Sequence, residues 1–195
     1  MPTVTGLRED RRGRVAVELD GSPWRTFPAD VVVRAGVSEG RALDRPALRL
    51  LRRELRRAEA LAVAGRALRA RDLSARELAR RLEQRAVSPS VAQDSLAALS
   101  AAGLLDDARF AENRAGSLAE RGYGDAAIRH DLEQRGVPAE LVEAAVAGLE
   151  PESVRAGRIV CRRGTGAGTA RYLAGKGFGE DVLEQAAGID FGHHP

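Results

Sequence analysis

The chain has 195 residues, of which 44% are hydrophobic and 30% charged, enough to bury a core without disulfide or metal staples. Its one cysteine, Cys161, cannot form an internal disulfide and has no Cys or His partner at zinc-ligand spacing, which excludes a disulfide scaffold or zinc module and points to a reducing, cytoplasmic setting. The opening MPTVTGLREDRRGR lacks the apolar stretch of a signal peptide, and no apolar run approaches the roughly 20 residues that span a bilayer, so a soluble protein with no membrane contact is expected.

The net charge of +3 conceals an asymmetry. Residues 41–85 hold 14 arginines against 6 acids, whereas residues 101–150 hold 5 arginines against 10 acids. A basic stretch of this kind suits phosphates or an acidic protein surface, and the acidic middle would be repelled by nucleic acid. Almost every cation is arginine, Lys176 being the only lysine.

Along the chain, the first forty-odd residues differ from the rest. RVAVEL alternates, with Val15, Val17 and Leu19 on one face; Asp20-Gly21 marks a turn, and PWRTF alternates again, which predicts a β-hairpin. Val4 to Leu7 adds a short strand across the turn at Arg11 to Gly13, and a short helix over Ala29 to Arg34 closes at Gly36.

From Asp44 onward the signals are helical. Asp44 caps a helix with Leu48, Leu51, Leu55 and Leu61 near one face, while Arg49, Arg52, Arg53, Arg56 and Arg57 crowd the other. Ser74 with Glu77 makes a capping box for a helix that turns Leu78 and Leu82 inward, and Ser88-Pro89 opens another that stops at Gly103. The same punctuation continues: Asp106 or Asp107 to Gly122, Asp125 to Gly136, Pro138 to Gly148, Pro151 to Gly164, Ala170 to Lys176, and Glu180 to Gly188.

A phrase also returns. LEQRAVS at 82–88 becomes LEQRGVP at 132–138, and residues 74–99 align with 124–149, pairing Leu78 with Ile128, Leu82 with Leu132, Val91 with Leu141 and Leu96 with Val146. A further shift sets Leu132 on Leu173, Arg135 on Lys176, Gly136 on Gly177, Val137 on Phe178 and Leu141 on Val182. The expected fold is therefore mainly α: tandem three-helix repeats in an elongated curved array, behind a small N-terminal β-hairpin module. Its divisions are 1–43 for the β module, 44–103 for a linking helix and the first repeat, 104–149 for the second repeat, 150–188 for a shortened third, and 189–195 for a tail.

The segment GLLDDARFAENRAGSLAERGYGDAAIRHDLEQRGVPAELVEAAV, 103–146, resembles the RecX family of bacterial RecA modulators, notably in Leu105-Asp106-Asp107 with Arg109-Phe110-Ala111. ALRARDLSARELARRLEQRAVS is similar to the family's first unit, and the resemblance covers about 45–188. Departures are Ala86 in place of the usual turn glycine, Asp131-Leu132-Glu133 in place of Glu-Leu, and Thr169 at the position of Ile128. The resemblance implies a non-enzymatic regulator that lies along the groove of the RecA–DNA filament and restrains its recombinase, ATPase and coprotease activities in DNA repair and the SOS response. It implies no cofactor and no small-molecule substrate.

The residues that would meet such a partner are expected to be Arg49, Arg52, Arg53, Arg56, Arg76, Arg80 and Arg85, facing acidic protein surface or the DNA backbone. No catalytic or metal site is expected. GTGAGTARYLAGKGFG at 164–179 fails as a P-loop, because Gly177 follows Lys176 and Ala170 replaces the first glycine. His130 stands alone, His193-His194 has no third ligand nearby, and the acid pairs Asp106-Asp107 and Glu180-Asp181 sit where helices start. Direct action on nucleic acid is the alternative, but a helix-turn-helix reader needs base-contacting side chains on its third helix, and SVAQDSLAALSAA and PAELVEAAVAG carry no arginine or lysine. An α-solenoid scaffold of the HEAT type would need a two-helix period, which the third helix of each round does not fit.

Overall fold

Residues 1–188 are described by a computed structural model, and the tail that holds His193 and His194 lies outside them. The chain forms two units: Met1–Arg71 with Leu78–Ala102, and Asp72–Glu77 with the residues from Gly103 on.

In the first unit three antiparallel strands, β1 (Val4–Glu9), β2 (Arg14–Leu19) and β3 (Ser22–Pro28), form a sheet in chain order. Asp20 and Gly21 both take positive φ, the two-residue turn whose twist matches the flanking strands, and Leu19 pairs with Ser22 across it. The expected hairpin is thus part of a three-stranded sheet, with β1 two residues longer than the sequence suggests. Val15, Val17 and Phe27 turn to one side, where they join Val31 and Val32 of α1 (Ala29–Arg34) and Ala47 and Leu51 of α2 (Arg45–Ala70) in a single core.

Helix α2 starts where Asp44 accepts the Ala47 amide at 2.7 Å. Its first half buries Ala47, Leu51 and Glu54, with Leu48 and Leu55 packed alongside; its second half buries Ala60, Ala64 and Ala67 and packs on α4 (Pro89–Ala101). The buried face therefore rotates along the helix, since alanines allow the close approach that α4 requires. Leu61 falls outside the stripe expected for it and is only half-buried, because the core has changed sides by that point.

Helix α3 (Ala75–Glu83) opens on the expected capping box, with Glu77 N–H donating to Ser74 Oγ at 3.1 Å and Ser74 N–H to Glu77 Oε2 at 3.3 Å. Leu78 and Leu82 are wholly buried. In α4, Pro89 occupies the first turn as expected, although the Ser88 hydroxyl makes no capping bond.

The second unit holds α5 (Asp107–Glu120), α6 (Asp125–Gln134) and α7 (Ala139–Ala147), then α8 (Glu152–Arg163), α9 (Ala167–Gly175) and α10 (Glu180–Ala187). Phe110, Leu118, Ile128, Leu132 and Val142 anchor one core, and Ile159, Leu173, Phe178 and Val182 anchor another. Helix α9 begins three residues before the expected Ala170, its first turn secured by Thr169, whose hydroxyl donates to the Gly164 carbonyl at 2.8 Å. A buried threonine bonded to backbone is how the chain accommodates a polar residue where the second repeat has Ile128.

The repeat is physical as well as textual. Leu82, Leu132 and Leu173 all have zero exposure, and after each the chain closes with the same bond: Val87 N–H to Leu82 O at 3.1 Å, Val137 N–H to Leu132 O at 3.1 Å, and Phe178 N–H to Leu173 O at 3.2 Å. The residue in the turn is left-handed each time, at Gly136 (φ +76°), Gly177 (φ +78°) and, despite its side chain, Ala86 (φ +56°). Glycine adopts that conformation freely, whereas alanine holds it at a cost of roughly 1–2 kcal/mol.

Candidate partner-binding surface

The periodicity of α2 places Arg49, Arg52, Arg53 and Arg56 at i, i+3, i+4 and i+7, a single stripe, and all four are exposed. Among the described residues Arg53 is the one of the four that meets a carboxylate, Glu54 at 3.6 Å, and it remains largely solvated. Arg80 is exposed on α3 and Arg85 just past its end. Arg56 and Arg85 converge on one concavity of about 540 Å³, floored by Ala60, Val63 and Val87 and bordered by Glu59.

Arg76 goes elsewhere. It is exposed, but its aliphatic stem lies over Gly136, so that a Cβ at that glycine would overlap it, and both residues belong to the second unit. Six of the seven candidate arginines thus fall in the first unit and the seventh covers a turn in the second.

Arginine has a different use in the second unit. Arg155 is buried; its guanidinium donates to the Glu150 carbonyl at 3.0 Å and the Tyr123 carbonyl at 2.7 Å, and pairs with Asp125. Arg135 bridges Asp131 at 2.9 Å and Glu77 at 2.7 Å, and Arg114 makes a two-pronged contact with the same Asp131 at 2.8 and 2.9 Å. The Arg114 hydrogen bonds and the Arg135 guanidinium hold the Asp131 carboxyl at about 2, below its usual range, and Asp131 in turn raises Arg114. Arg129 pairs with Glu143 at 2.9 Å, which raises its pKa, and Arg158 pairs with Glu150. Nothing local in the sequence signals these pairs, which join residues 8 to 58 positions apart apart from one i,i+4 bridge.

One further cluster escaped sequence reasoning. The chain's two tyrosines and its only lysine meet: Lys176 Nζ lies 4.0 Å from the Tyr123 ring centroid and 6.0 Å from that of Tyr172, and Arg163 lies 4.1 Å over Tyr172.

Among the described residues no group of three or more His, Cys, Asp or Glu is placed to hold a metal ion, and no helix is long and apolar enough to cross a membrane. Asp106 accepts the Ala108 and Arg109 amides, each at 3.0 Å, and Asp107 accepts the Ala75 amide at 2.8 Å, so this acid pair does capping work. The glycine-rich stretch from Gly164 surrounds α9 and follows a helix rather than a strand. The third helices α4, α7 and α10 carry no arginine or lysine, the reverse of a base-reading helix.

An antiparallel sheet followed by tandem three-helix repeats defines a mainly helical repeat protein. A family model described as RecX, second three-helix domain, matches residues 106–146. Proteins named Regulatory protein RecX are similar to the chain: that of Halorhodospira halophila is 35% identical over 51% of this chain and 68% of its own, and that of Stenotrophomonas maltophilia 34% over 53% and 70%. For that of Serratia proteamaculans the figures are 33%, 50% and 64%, so the match spans less than two thirds of this relative. A crystal structure of regulatory protein RecX superposes with a TM-score of 0.83 at 18% identity, covering 95% of this chain and 98% of its own. That of RecX from Lactobacillus salivarius gives 0.60 at 15%, covering 69% and 97%; at these identities both attest the fold. The chain belongs to the RecX family of regulatory proteins.

Proposed function

We propose that the protein binds the RecA filament assembled on DNA, lies along its groove and restrains its recombinase, ATPase and coprotease activities in DNA repair and the SOS response. The observation that carries this reading is the first unit's arginine stripe, Arg49, Arg52, Arg53 and Arg56, exposed and almost without carboxylate partners, in a chain whose relatives are named as regulators. Arg80 and Arg85 extend the cationic surface, and Arg76 adds a charge from the second unit. A solvated guanidinium row complements acidic protein surface and speeds encounter with it. A protein that acts by binding rather than catalysis agrees with relatives named as regulatory proteins. A cytoplasmic site of action follows from this partner.

The same stripe favours a second reading, direct binding to the nucleic-acid backbone. One titration separates them: ATP hydrolysis by the cognate RecA on single-stranded DNA, measured with binding to bare DNA at low and moderate salt. Inhibition at substoichiometric amounts with weak binding to bare DNA supports filament modulation. Unchanged hydrolysis with tight binding that falls steeply with salt identifies the backbone as the partner.

A further inference from the structure

Each second helix ends in a basic residue followed by a left-handed turn: Arg85-Ala86, Arg135-Gly136 and Lys176-Gly177. Two of these turns are occupied by the amino end of the preceding repeat's second helix. On Arg135-Gly136, the Ser74 hydroxyl donates to the Arg135 carbonyl at 2.6 Å, the Arg76 stem covers the glycine, and Arg135 grips Glu77 at 2.7 Å. On Lys176-Gly177, the Gly124 and Ala126 amides donate to the Lys176 and Gly177 carbonyls at 2.9 and 3.2 Å, and the lysine holds the Tyr123 ring. In both, the next amide along, Ala75 or Asp125, is accepted by a carboxylate from the following repeat's first helix, Asp107 at 2.8 Å or Glu152 at 2.6 Å. The two junctions are one design used twice.

The third such turn, Arg85-Ala86, has no preceding repeat to fill it. It opens on the 540 Å³ concavity against α2, and among the described residues the Arg85 side chain makes no hydrogen bond or ion pair. We propose that this turn is a docking socket for the partner protein, and that its occupant is the amino end of an acidic helix. The inference rests on the filament-binding reading and names the contact that reading needs.

Three features select that occupant. The carboxyl end of α3 presents carbonyls and the negative pole of its dipole, which a helix amino end meets with N–H donors and the positive pole. Arg85 and Arg56 call for a carboxylate, as Arg135 calls for Glu77. Ala60, Val63 and Val87 give an apolar floor, which the side chains of a helix cover and a phosphodiester does not. A second copy of the chain fits poorly. The amino end of its own α9, Thr165 to Gly168, already donates the Gly166 amide to the Ala186 carbonyl at 2.8 Å and offers Arg85 neither carboxylate nor ring.

The test uses the whole chain carrying Arg85→Glu or Arg56→Glu, with three readouts: affinity for the RecA filament on single-stranded DNA, affinity for that DNA alone, and sedimentation velocity. The socket predicts an affinity loss of about tenfold or more for the filament, with unchanged melting and little change on bare DNA. Equal losses on filament and DNA assign the arginines to phosphate and overturn it, as does full filament affinity in both variants. Self-association of the wild type that either variant abolishes points to a second copy and also overturns it. A probe independent of RecA is the peptide of residues 124–134, GDAAIRHDLEQ, the acidic amino end that fills the third repeat's turn, titrated into 15N-labelled protein. Shifts at Arg85 to Ser88 and Val63 that vanish in Arg85→Glu are expected even if the wild type ignores the filament. Their absence at millimolar peptide rejects the socket whatever the filament does.

Discussion

The two units employ the same residue in opposite ways. In the first, Arg49, Arg52, Arg56, Arg80 and Arg85 extend into solvent, and Arg53 touches one neighbouring carboxylate. In the second, Arg114, Arg129, Arg135, Arg155 and Arg158 are all paired with carboxylates. Helix α2 supplies few acids, so the guanidinium groups of its stripe stay in solvent, whereas these five arginines of the second unit serve as internal ties. An arginine count locates charge; only partner geometry says whether that charge is offered or spent.

Removing one of the second unit's ties has the largest expected effect. Arg155→Ala leaves the Asp125 carboxylate and two backbone carbonyls without their donor, and is expected to cost about 3–5 kcal/mol, read by thermal or urea melting. A loss below about 1 kcal/mol would place Arg155 with the solvated arginines. Leu82→Ala and Leu132→Ala, at matching positions of the repeat, should each cost about 2–5 kcal/mol, and an unchanged melting curve for either would contradict the register. Gly124→Ala inserts a methyl against the Gly177 backbone, which cannot swing aside, for a loss of about 1–3 kcal/mol.

Asp131, held at about 2, contributes stability that is complete above the unfolded carboxyl value of about 3.9 and is lost as pH falls towards 2. Asp131→Asn should flatten the acid limb of a stability–pH curve, and an unaltered limb would mean the carboxylate is not tied. Ala86→Gly relieves a left-handed alanine but adds unfolded-state entropy, for a net gain of about 0.5–1 kcal/mol in melting stability.

Much of the fold was legible because its signals are local. Asp44, the Ser74–Glu77 box, Asp106, Pro89 and the terminal glycines mark helix ends within a few residues, and Asp20-Gly21 marks the hairpin turn. What the sequence hid is long-range. Arg155 in SVRAGR looks like a surface residue until α8 carries it beneath Tyr123, and Leu61 looked like core until α2 turned its other face to α4. The candidate arginines were legible as a cluster, but the departure of Arg76 to Gly136 depends on a junction between repeats that no window of the sequence contains. Ala86 is the converse case: flagged as a departure from the family's glycine, it keeps the glycine conformation because the Leu82–Val87 bond and the buried leucine dictate the turn.

The proposed RecA filament binding rests on the exposed arginines of the first unit. It is tested most directly by titrating the wild type and the combined variant Arg49→Glu, Arg52→Glu, Arg53→Glu, Arg56→Glu into DNA-dependent ATP hydrolysis by the cognate RecA, with melting curves for both. Inhibition by the wild type at substoichiometric amounts and little by the variant, with unchanged melting, is expected. Equal inhibition by a well-folded variant would contradict it.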